Sequence, residues 1–506
     1  MVVCPSRNHN MQYKLLISGR STNRNSALIA SHLAQFQSAA AAFCPRFVIC
    51  LPMEITAKQG GLRKKGARVL AGIRLRRFVA TIASAFVVVA LFCDHAAAQD
   101  GVLNGDEADV VKARVQKIRG LKLKADVPVT YLSVDETQAR FRTQFAREIS
   151  QDEIEIGVQE NKMIGLLPPD LKIDRKDLAD MTLELAGFYD PHHKNIVIID
   201  RPITVALPER YRDIVSRLKK LDTMGTLGHE LTHALQDQYF DISTAQKKYK
   251  GDTDRTLAYK AIVEGDATLS GFSVVTGRVD DQTIDYFDTH LQDIVPVFMG
   301  RMDDKPRAMT YPFIFQYTEG ARFVAEAYHR KGWPGVNALF KGPPLSTQQI
   351  MHPELYFDHP TPAKTVKLAG YEQVLRDWKK VDEDTFGELM LKIILERTMG
   401  EGTPYVEAAT RWAGDRLVAL QKGKALTVLW MLTFRDAGSA DTFAQLYSGI
   451  LDQVLPGTTA RKLEQRGPAV FVMIGDGAIR NHEFLPEVWK QSRIDNAPIE
   501  GGGVSP

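Results

Sequence analysis

His229-Glu230-Leu231-Thr232-His233 forms an H-E-x-x-H motif in a segment whose apolar residues recur with helical spacing. In an α-helix the two histidines lie on one face about one turn apart, where both imidazoles can bind one Zn²⁺. Glu230 lies beside them and can take a proton from a water that the metal activates. The motif predicts a hydrolytic zinc site. The simpler alternative is a surface helix with two solvated histidines.

The residues around the motif favour a half-buried helix. Its flanks, Thr226-Leu227-Gly228 and Ala234-Leu235, carry no charge. Apolar side chains recur at three- and four-residue steps, which places them on one side of a helix; they are Leu221, Met224, Leu227, Leu231 and Leu235. Asp222 is a candidate N-cap, so we expect the motif helix to begin there.

A basic segment, an apolar segment and an A-x-A site follow one another before residue 99. The basic segment covers residues 63–77, a 16-residue apolar run extends from Phe78 to Cys93, and Ala96-Ala97-Ala98 comes last. This order is typical of a secretory signal peptide. The apolar run is short for a bilayer-spanning helix, and an uncleaved N-terminal membrane anchor is the alternative.

Residues 1–98 are therefore predicted to be a leader, with the signal peptide in residues 53–98. A signal peptide normally begins near the N-terminus, and here it does not. Residues 1–52 are either a translation-start error, with Met53 as the true start, or a long disordered presequence. We favour the start-site error.

The leader accounts for the positive charge of the chain. It holds 13 Lys and Arg and 2 Asp and Glu, so residues 99–506 hold 51 basic and 59 acidic side chains, a net charge of −8 instead of +3. An acidic mature protein gives no electrostatic reason to expect nucleic-acid binding. All four cysteines also lie in the leader, so the mature protein would have no disulfide. We expect an exported protein, either periplasmic or secreted.

The mature chain predicts an α+β fold in two parts, a catalytic domain over residues 99–400 and a small α+β module with a flexible Gly-rich tail over residues 401–506. Strand patterns and a capping box at Ser133 precede the motif helix, and another long helix follows it. The predicted strands are 126–132, 187–191, 195–200, 416–421, 425–434 and 470–474, and the predicted helices are 133–149, 207–218, 256–275, 322–330 and 436–451.

A catalytic zinc needs a third protein ligand, and Glu264 is the candidate. The chain has no third histidine at the spacing of the extended H-E-x-x-H-x-x-G-x-x-H motif. Glu264 lies in an apolar stretch of the next long helix, where an unpaired carboxylate would be costly to bury. Gly265 and Ala267 leave room for another helix to approach. Asp266 points about 200° away and is a candidate for a supporting contact. The alternative for Glu264 is a cap or a salt bridge.

Several segments together resemble the zincin metallopeptidases of the gluzincin type, and more narrowly a little-characterised group of bacterial zincin-like predicted proteases. The segments are GLLPPD (165–170), GFYDP (187–191), HELTHALQDQ (229–238), VEGDATL (263–269), LSTQQIMHP (345–353) and WAGDR (412–416), and the resemblance covers about residues 120–420. It implies a zincin-like domain with a small sheet, the motif helix and a helical second half.

The resemblance also implies residue roles. His229, His233 and Glu264 would bind one zinc ion per chain, Glu230 would be the catalytic base, and a strand near 195–199 would line the cleft and pair with an extended substrate. Many gluzincins have an aspartate four residues after the ligand glutamate, whereas this chain has Thr268 there. The residue that orients a zinc-binding histidine is therefore left open.

Peptide hydrolysis also needs a hydrogen-bond donor for the oxyanion that develops at the scissile carbonyl. His352, in a loop rich in hydrogen-bonding side chains, and Tyr317, before a helix near Gly320, are the candidates. A structural hydrogen bond is the alternative for each. His192 and His193 are expected in an exposed turn, and Trp412 in the core.

Taken together, the sequence predicts an exported zinc metallopeptidase that acts on a protein or peptide substrate and meets a membrane only through an uncleaved anchor. Two alternatives stay open. One is a catalytically inactive zincin-like binding scaffold, against which the intact Glu230 argues, because zinc binding alone does not need that residue. The other is a hydrolase of a non-protein amide, such as a cell-wall crosslink.

Overall fold

Long helices dominate the first part of the described chain, and a five-stranded sheet dominates the last part. The computed structural model describes residues 103–181, 185–200, 212–280, 284–285, 305–399, 407–457, 459–475 and 484–497. All of them belong to the compact unit Phe92–Pro506. The predicted leader and signal peptide lie outside the described residues, as do residues 207–211 of the helix predicted at 207–218. No helix among the described residues is both long and apolar enough to cross a membrane.

The elements follow in chain order. They are α1 (Gly105–Arg119), β1 (Val129–Ser133), α2 (Val134–Glu148), α3 (Gln151–Met163), α4 (Arg175–Met181), β2 (Gly187–Asp190), β3 (Asn195–Asp200), α5 (Arg212–Phe240), α6 (Ile242–Lys247), α7 (Thr253–Thr276), α8 (Arg307–Leu339), α9 (Thr347–Met351), α10 (Glu354–Phe357), β4 (Thr365–Lys367), β5 (Lys379–Asp384), α11 (Gly387–Met399), α12 (Glu407–Thr410), β6 (Trp412–Lys422), β7 (Ala425–Phe434), α13 (Ala437–Val454), β8 (Ala460–Arg466), β9 (Ala469–Gly475), α14 (Leu485–Gln491) and β10 (Arg493–Asp495). This mixture of helices and sheets agrees with the predicted α+β class at the level of helix and strand content.

Local sequence signals set several of these boundaries. Ser133 caps α2, and its side chain and that of Glu136 bond each other's backbone N–H groups, as the predicted capping box requires. The turn between β2 and β3 contains Lys194 in a left-handed conformation, with φ of 53°. Asp436 caps α13 through a hydrogen bond from the N–H of Ser439. These predicted elements are confirmed.

The described part of the chain contains two small sheets and one larger sheet. In the first, β3 is central: it pairs in parallel with β1 and antiparallel with β2. The second small sheet consists of β4 paired antiparallel with β10. The larger sheet is antiparallel, with the order β5-β6-β7-β9-β8. The larger sheet includes two strands that the sequence did not predict, Lys379–Asp384 and Ala460–Arg466.

The predicted apolar stripe of the motif helix α5 packs against β3 and α1. Leu227, Leu231 and Leu235 are almost fully buried, and they share a core cluster with β3 residues such as Ile196 and with Val111 of α1. The opposite side of the helix is left for the site. The predicted start of this helix is wrong, since α5 begins at Arg212 and Asp222 lies inside it. Apolar periodicity continues across Asp222, and packing outweighs the capping preference of one aspartate.

A buried aspartate organises the larger sheet. The carboxylate of Asp415, in the WAGDR segment, accepts hydrogen bonds from the indole N–H groups of Trp412 and Trp430 at 3.0 and 2.9 Å. It also accepts the backbone N–H groups of Phe386 and Gly387, both at 3.0 Å. Four donors compensate the burial of this charge. The prediction that Trp412 is a core residue is confirmed, because its side chain is fully buried.

Candidate metal centre

Glycine contacts bring three helices close enough to share one site. A Cβ on Gly271 of α7 would lie 2.8 Å from the Gly225 carbonyl oxygen of α5. A Cβ on Gly265 of α7 would lie 2.3 Å from the Gly320 carbonyl oxygen of α8, and one on Gly320 would lie 2.2 Å from the Ala261 carbonyl oxygen. Only glycine permits such backbone approach. The expected close packing at Gly265 is confirmed, and it aligns Glu264 and Tyr317 with the motif.

The side chains of His229, His233 and Glu264 converge. The Nε2 atoms of the two histidines lie 3.1 Å apart, and Glu264 Oε2 lies 3.1 Å from His229 Nε2 and 3.3 Å from His233 Nε2. These three residues are the group of potential metal ligands found among the described residues. A tetrahedral zinc site with bonds of about 2.0–2.1 Å has ligand–ligand edges of about 3.3 Å. Two imidazole nitrogens and one carboxylate oxygen at this spacing fit that ion.

The electrostatics of the cluster favour a cation. Burial alone would lower the pKa of His233, but the charge and hydrogen bond of Glu264 outweigh it and raise that pKa to about 9. Burial would raise the pKa of Glu264, yet the two histidines hold it well below its usual range. The carboxylate is thus ionised and favours a positive charge between itself and the two histidines. A divalent cation would supply that charge in place of a proton on His233.

Glu230 has a different environment, although it lies next to His229 in the chain. Its side chain is buried, and burial raises its pKa, an effect that the two histidines oppose. The backbone N–H of Tyr189 in β2 faces this carboxylate and also lowers its pKa. The Glu230 carboxylate therefore lies buried beside the convergent donors, with its proton affinity increased.

Tyr317 is the oxyanion candidate that the structure brings to the site. Its ring stacks on that of His229 with centroids 5.9 Å apart, and its hydroxyl lies close enough to the Glu264 carboxylate for that group to raise its pKa. Burial and the two nearby carboxylates raise the pKa of Tyr317 well above its usual value, so the hydroxyl keeps its proton. The expectation that Tyr317 precedes a helix is wrong, because α8 begins at Arg307 and Tyr317 lies within it.

His352, the other candidate, has different partners. Its Nε2 lies 2.8 Å from Oε1 of the buried Glu388 in α11, and this pair raises the pKa of His352. Among the described contacts, none joins His352 to His229, His233 or Glu264. His192 and His193 lie exposed in the turn between β2 and β3, as predicted.

Among the described residues, the strand that offers an edge near Glu230 is β2. The prediction that residues 195–199 pair with a substrate is wrong, since β3 is paired on both sides. Ile199 N–H bonds the Ala186 carbonyl, and hydrogen-bonded pairs alternate along an antiparallel ladder, so Tyr189 turns its N–H and C=O away from β3. The N–H of Tyr189 reaches Glu230 from this outer edge. β2 was predicted as a strand, but its edge position depends on a sheet order that the sequence does not reveal.

Gln236 is the site residue that sequence reasoning missed. Its Oε1 lies 2.8 Å from His233 Nδ1, and its Nε2 donates to Asp266 Oδ2 at 2.9 Å. Asp266, the candidate for a supporting contact, therefore reaches the site indirectly, through its hydrogen bond with Gln236. Thr268, which stands where many gluzincins have an aspartate, bonds the Glu264 carbonyl instead. The signal available in the sequence was the spacing, because Gln236 stands three residues after His233 on the same helix face.

Comparison with known proteins bears on a different part of the chain. A family model described as a domain of unknown function (DUF8575) matches residues 372–484. The match takes in the five strands β5 to β9 and lies outside the HELTH motif and Glu264. No curated protein and no solved structure matches the chain.

Proposed function

We propose that this protein is an exported zinc metallopeptidase with a zincin-like, gluzincin-type catalytic domain. The observation that carries the proposal is the convergence of His229 Nε2, His233 Nε2 and Glu264 Oε2 within 3.1–3.3 Å of one another, with Glu230 buried beside them. The donor set and spacing suit a catalytic zinc, with three protein ligands and one open position.

The chain's own residues divide the work of hydrolysis. A zinc ion held by the three ligands would supply Lewis acidity, which polarises the scissile carbonyl and makes a water more acidic. Glu230 takes one proton from that water as its oxygen bonds to the carbonyl carbon, and returns the proton to the amine nitrogen as the C–N bond breaks. The Tyr317 hydroxyl turns from Glu264 to donate a hydrogen bond to the oxyanion.

The substrate class is a protein or peptide in extended form. The outer edge of β2 offers the Tyr189 carbonyl beside Glu230, and an edge strand recognises extended backbone of any sequence. The buried position of Glu230 favours a hydrolase over a binding scaffold, because metal affinity alone does not call for a buried base.

The test is the zinc content of the purified protein and its cleavage of a peptide library, with and without a chelator. We expect one zinc per chain, cleavage that is lost with the chelator, and recovery on adding zinc back. Zinc without peptide cleavage would favour the scaffold, and cleavage of cell-wall crosslinks alone would favour the non-protein amide. His233→Ala should lose metal and activity together, whereas His192→Ala, in the exposed turn, should keep both.

A further inference from the structure

A buried chain of polar contacts leads from His233 to the end of α1. Gln236 connects His233 to Asp266, and Asp266 Oδ1 lies 3.0 Å from Arg119 Nε. Arg119 Nη2 donates to Asn337 at 2.8 Å, and its guanidinium lies 4.2 Å from the centre of the Trp333 ring. This series of polar contacts thus connects α5, α7, α1 and the end of α8.

The central members of this chain are as buried as any apolar core residue. Arg119 and Gln236 are 1% exposed and Asp266 is 0% exposed. Removing an ion pair from water costs free energy that the attraction between the charges often does not recover, and an apolar pair of the same size is frequently more stable. Stability alone therefore does not explain why a charged pair lies here. The position of the ion pair offers another explanation, because only Gln236 lies between Asp266 and the metal-site histidine His233.

The amide of Gln236 can lie in only one orientation. Its Nε2 donates to both the Val263 carbonyl and Asp266 Oδ2, each at 2.9 Å. If the amide were flipped, its oxygen would face two other hydrogen-bond acceptors, the Val263 carbonyl and Asp266 Oδ2, and no hydrogen bond could form. Oε1 must therefore face His233. This oxygen can only accept a hydrogen bond, which requires the proton of neutral His233 on Nδ1. The lone pair of Nε2 is then directed to the site, where a metal ligand needs it.

We propose that Arg119, Asp266 and Gln236 form a positioning relay that fixes the tautomer and ring orientation of His233 for metal binding. The inference rests on the proposed zinc site and extends it to α1. Arg119 holds the Asp266 carboxylate, Asp266 orients the Gln236 amide, and Gln236 orients the imidazole. None of the three touches the reacting atoms, so they are positioning residues. Metal affinity then depends on the docking of the N-terminal helix.

The test measures zinc affinity by competition with a chromophoric chelator, together with the visible spectrum of the Co²⁺-substituted protein. Gln236→Met keeps the size of the side chain but removes the acceptor. The paired variant Arg119→Met/Asp266→Asn removes both buried charges at once and so avoids an unpaired one. We expect each to weaken zinc binding about 10- to 100-fold and to alter the Co²⁺ bands, as losses of such supporting contacts do. Adding Gln236→Met to the paired variant should cause little further loss.

Leu257→Ala is the matched control, because Leu257 is a buried core residue of α7 that takes part in none of the polar contacts between His233 and Arg119. It should lower the melting temperature and leave zinc affinity unchanged. Zinc affinity of Gln236→Met within about 2-fold of the parent would overturn the relay, and so would an equal loss in Leu257→Ala. If the variants lose zinc affinity as expected but the parent cleaves no peptide, the metal site would be supported and the peptidase function rejected. A parent protein that binds no zinc would reject both.

Discussion

Glu230 and Glu264 face the same two histidines, yet their surroundings shift their pKa values in opposite directions. Burial raises the pKa of Glu230, with its histidine neighbours opposing. For Glu264 the two histidines overcome burial and lower the pKa. A carboxylate that stays ionised suits a ligand, and one with a raised pKa suits a group that accepts and returns a proton. The two roles follow from environment, since the side chains are chemically identical.

Glu230→Gln tests this division at the level of one residue. The substitution keeps the shape and removes the basic carboxylate, so turnover should fall about 10²-fold or more. Zinc content and melting temperature should hold, because Glu230 is not one of the three convergent donors. Peptide cleavage assays with metal analysis would measure both. Glu155→Gln, at an exposed position of α3, is the control and should change neither. Unchanged turnover in Glu230→Gln would show that this site does not hydrolyse peptides in the proposed way.

At the scale of elements, backbone contact between α7 and α8 determines how close the Tyr317 hydroxyl lies to the Glu264 carboxylate. Gly265 and Gly320 lie against each other's helix, and neither position has room for a methyl group. Tyr317 stands three residues before Gly320, so a helix pushed outward there would carry the hydroxyl away from Glu264. The helix crossing is therefore part of the site.

Gly320→Ala should destabilise the protein by about 1–3 kcal/mol or more through overpacking, and should also reduce peptide cleavage. Gly157→Ala in α3 is the matched control, because a Cβ there would meet nothing within 4 Å. It should stabilise the protein by about 0.5–1 kcal/mol, since alanine is the better helix former. Thermal unfolding of both variants measures the contrast. Equal effects of the two substitutions would argue against the tight crossing.

What the sequence predicts well is local. The capping box at Ser133, the strands of GFYDP and NIVIID and the helical spacing of His229 and His233 each depend on residues a few positions apart. Tyr317 and Asp222 were mispredicted because tertiary packing extends helices past weak local signals. The order of the first sheet and the contact between Gln236 and Asp266 depend on residues far apart in sequence, which no local pattern encodes. Two arguments select Glu264: an acidic residue in an apolar helix needs a partner, and the family resemblance implies a ligand at this position.

At the scale of the whole molecule, Glu160 of α3 lies buried near the carboxylates of Asp382 and Asp384 in β5. Its side chain is 1% exposed, and its Oε2 has no hydrogen-bond partner among the described residues. Burial, together with the neighbouring Asp382 and Asp384, raises the pKa of Glu160 to about 9. The folded protein therefore keeps a proton that the unfolded chain releases above about pH 4.5.

This proton links stability to pH. The stabilising effect of protonated Glu160 is complete below about pH 4.5 and is lost as the pH rises towards about 9, because the unfolded state then binds fewer protons than the folded state. Glu160→Gln lacks this loss, so its melting temperature should rise relative to the parent as the pH increases across that window. Melting curves across the window measure the difference. Glu155→Gln should follow the parent, and a Glu160→Gln curve parallel to the parent's would refute the assignment.

The leader prediction also belongs to the whole molecule, and it rests on the basic, apolar and A-x-A segments before residue 99. The exported protein should begin near Gln99. N-terminal sequencing of mature material checks this directly. Mature protein that still carried residues 1–52 would reject both the cleavage site and the start-site error.

The contacts of Arg119 also set an order of events during synthesis. Asp266 follows Arg119 by 147 residues and Asn337 follows it by 218. Helix α1 is thus made long before the residues that receive its guanidinium, and these contacts of Arg119 can form only after α8 has been made. Closing such long loops is slow compared with forming single helices. Under the proposed relay, the protein can bind its metal tightly only after most of the chain has been made.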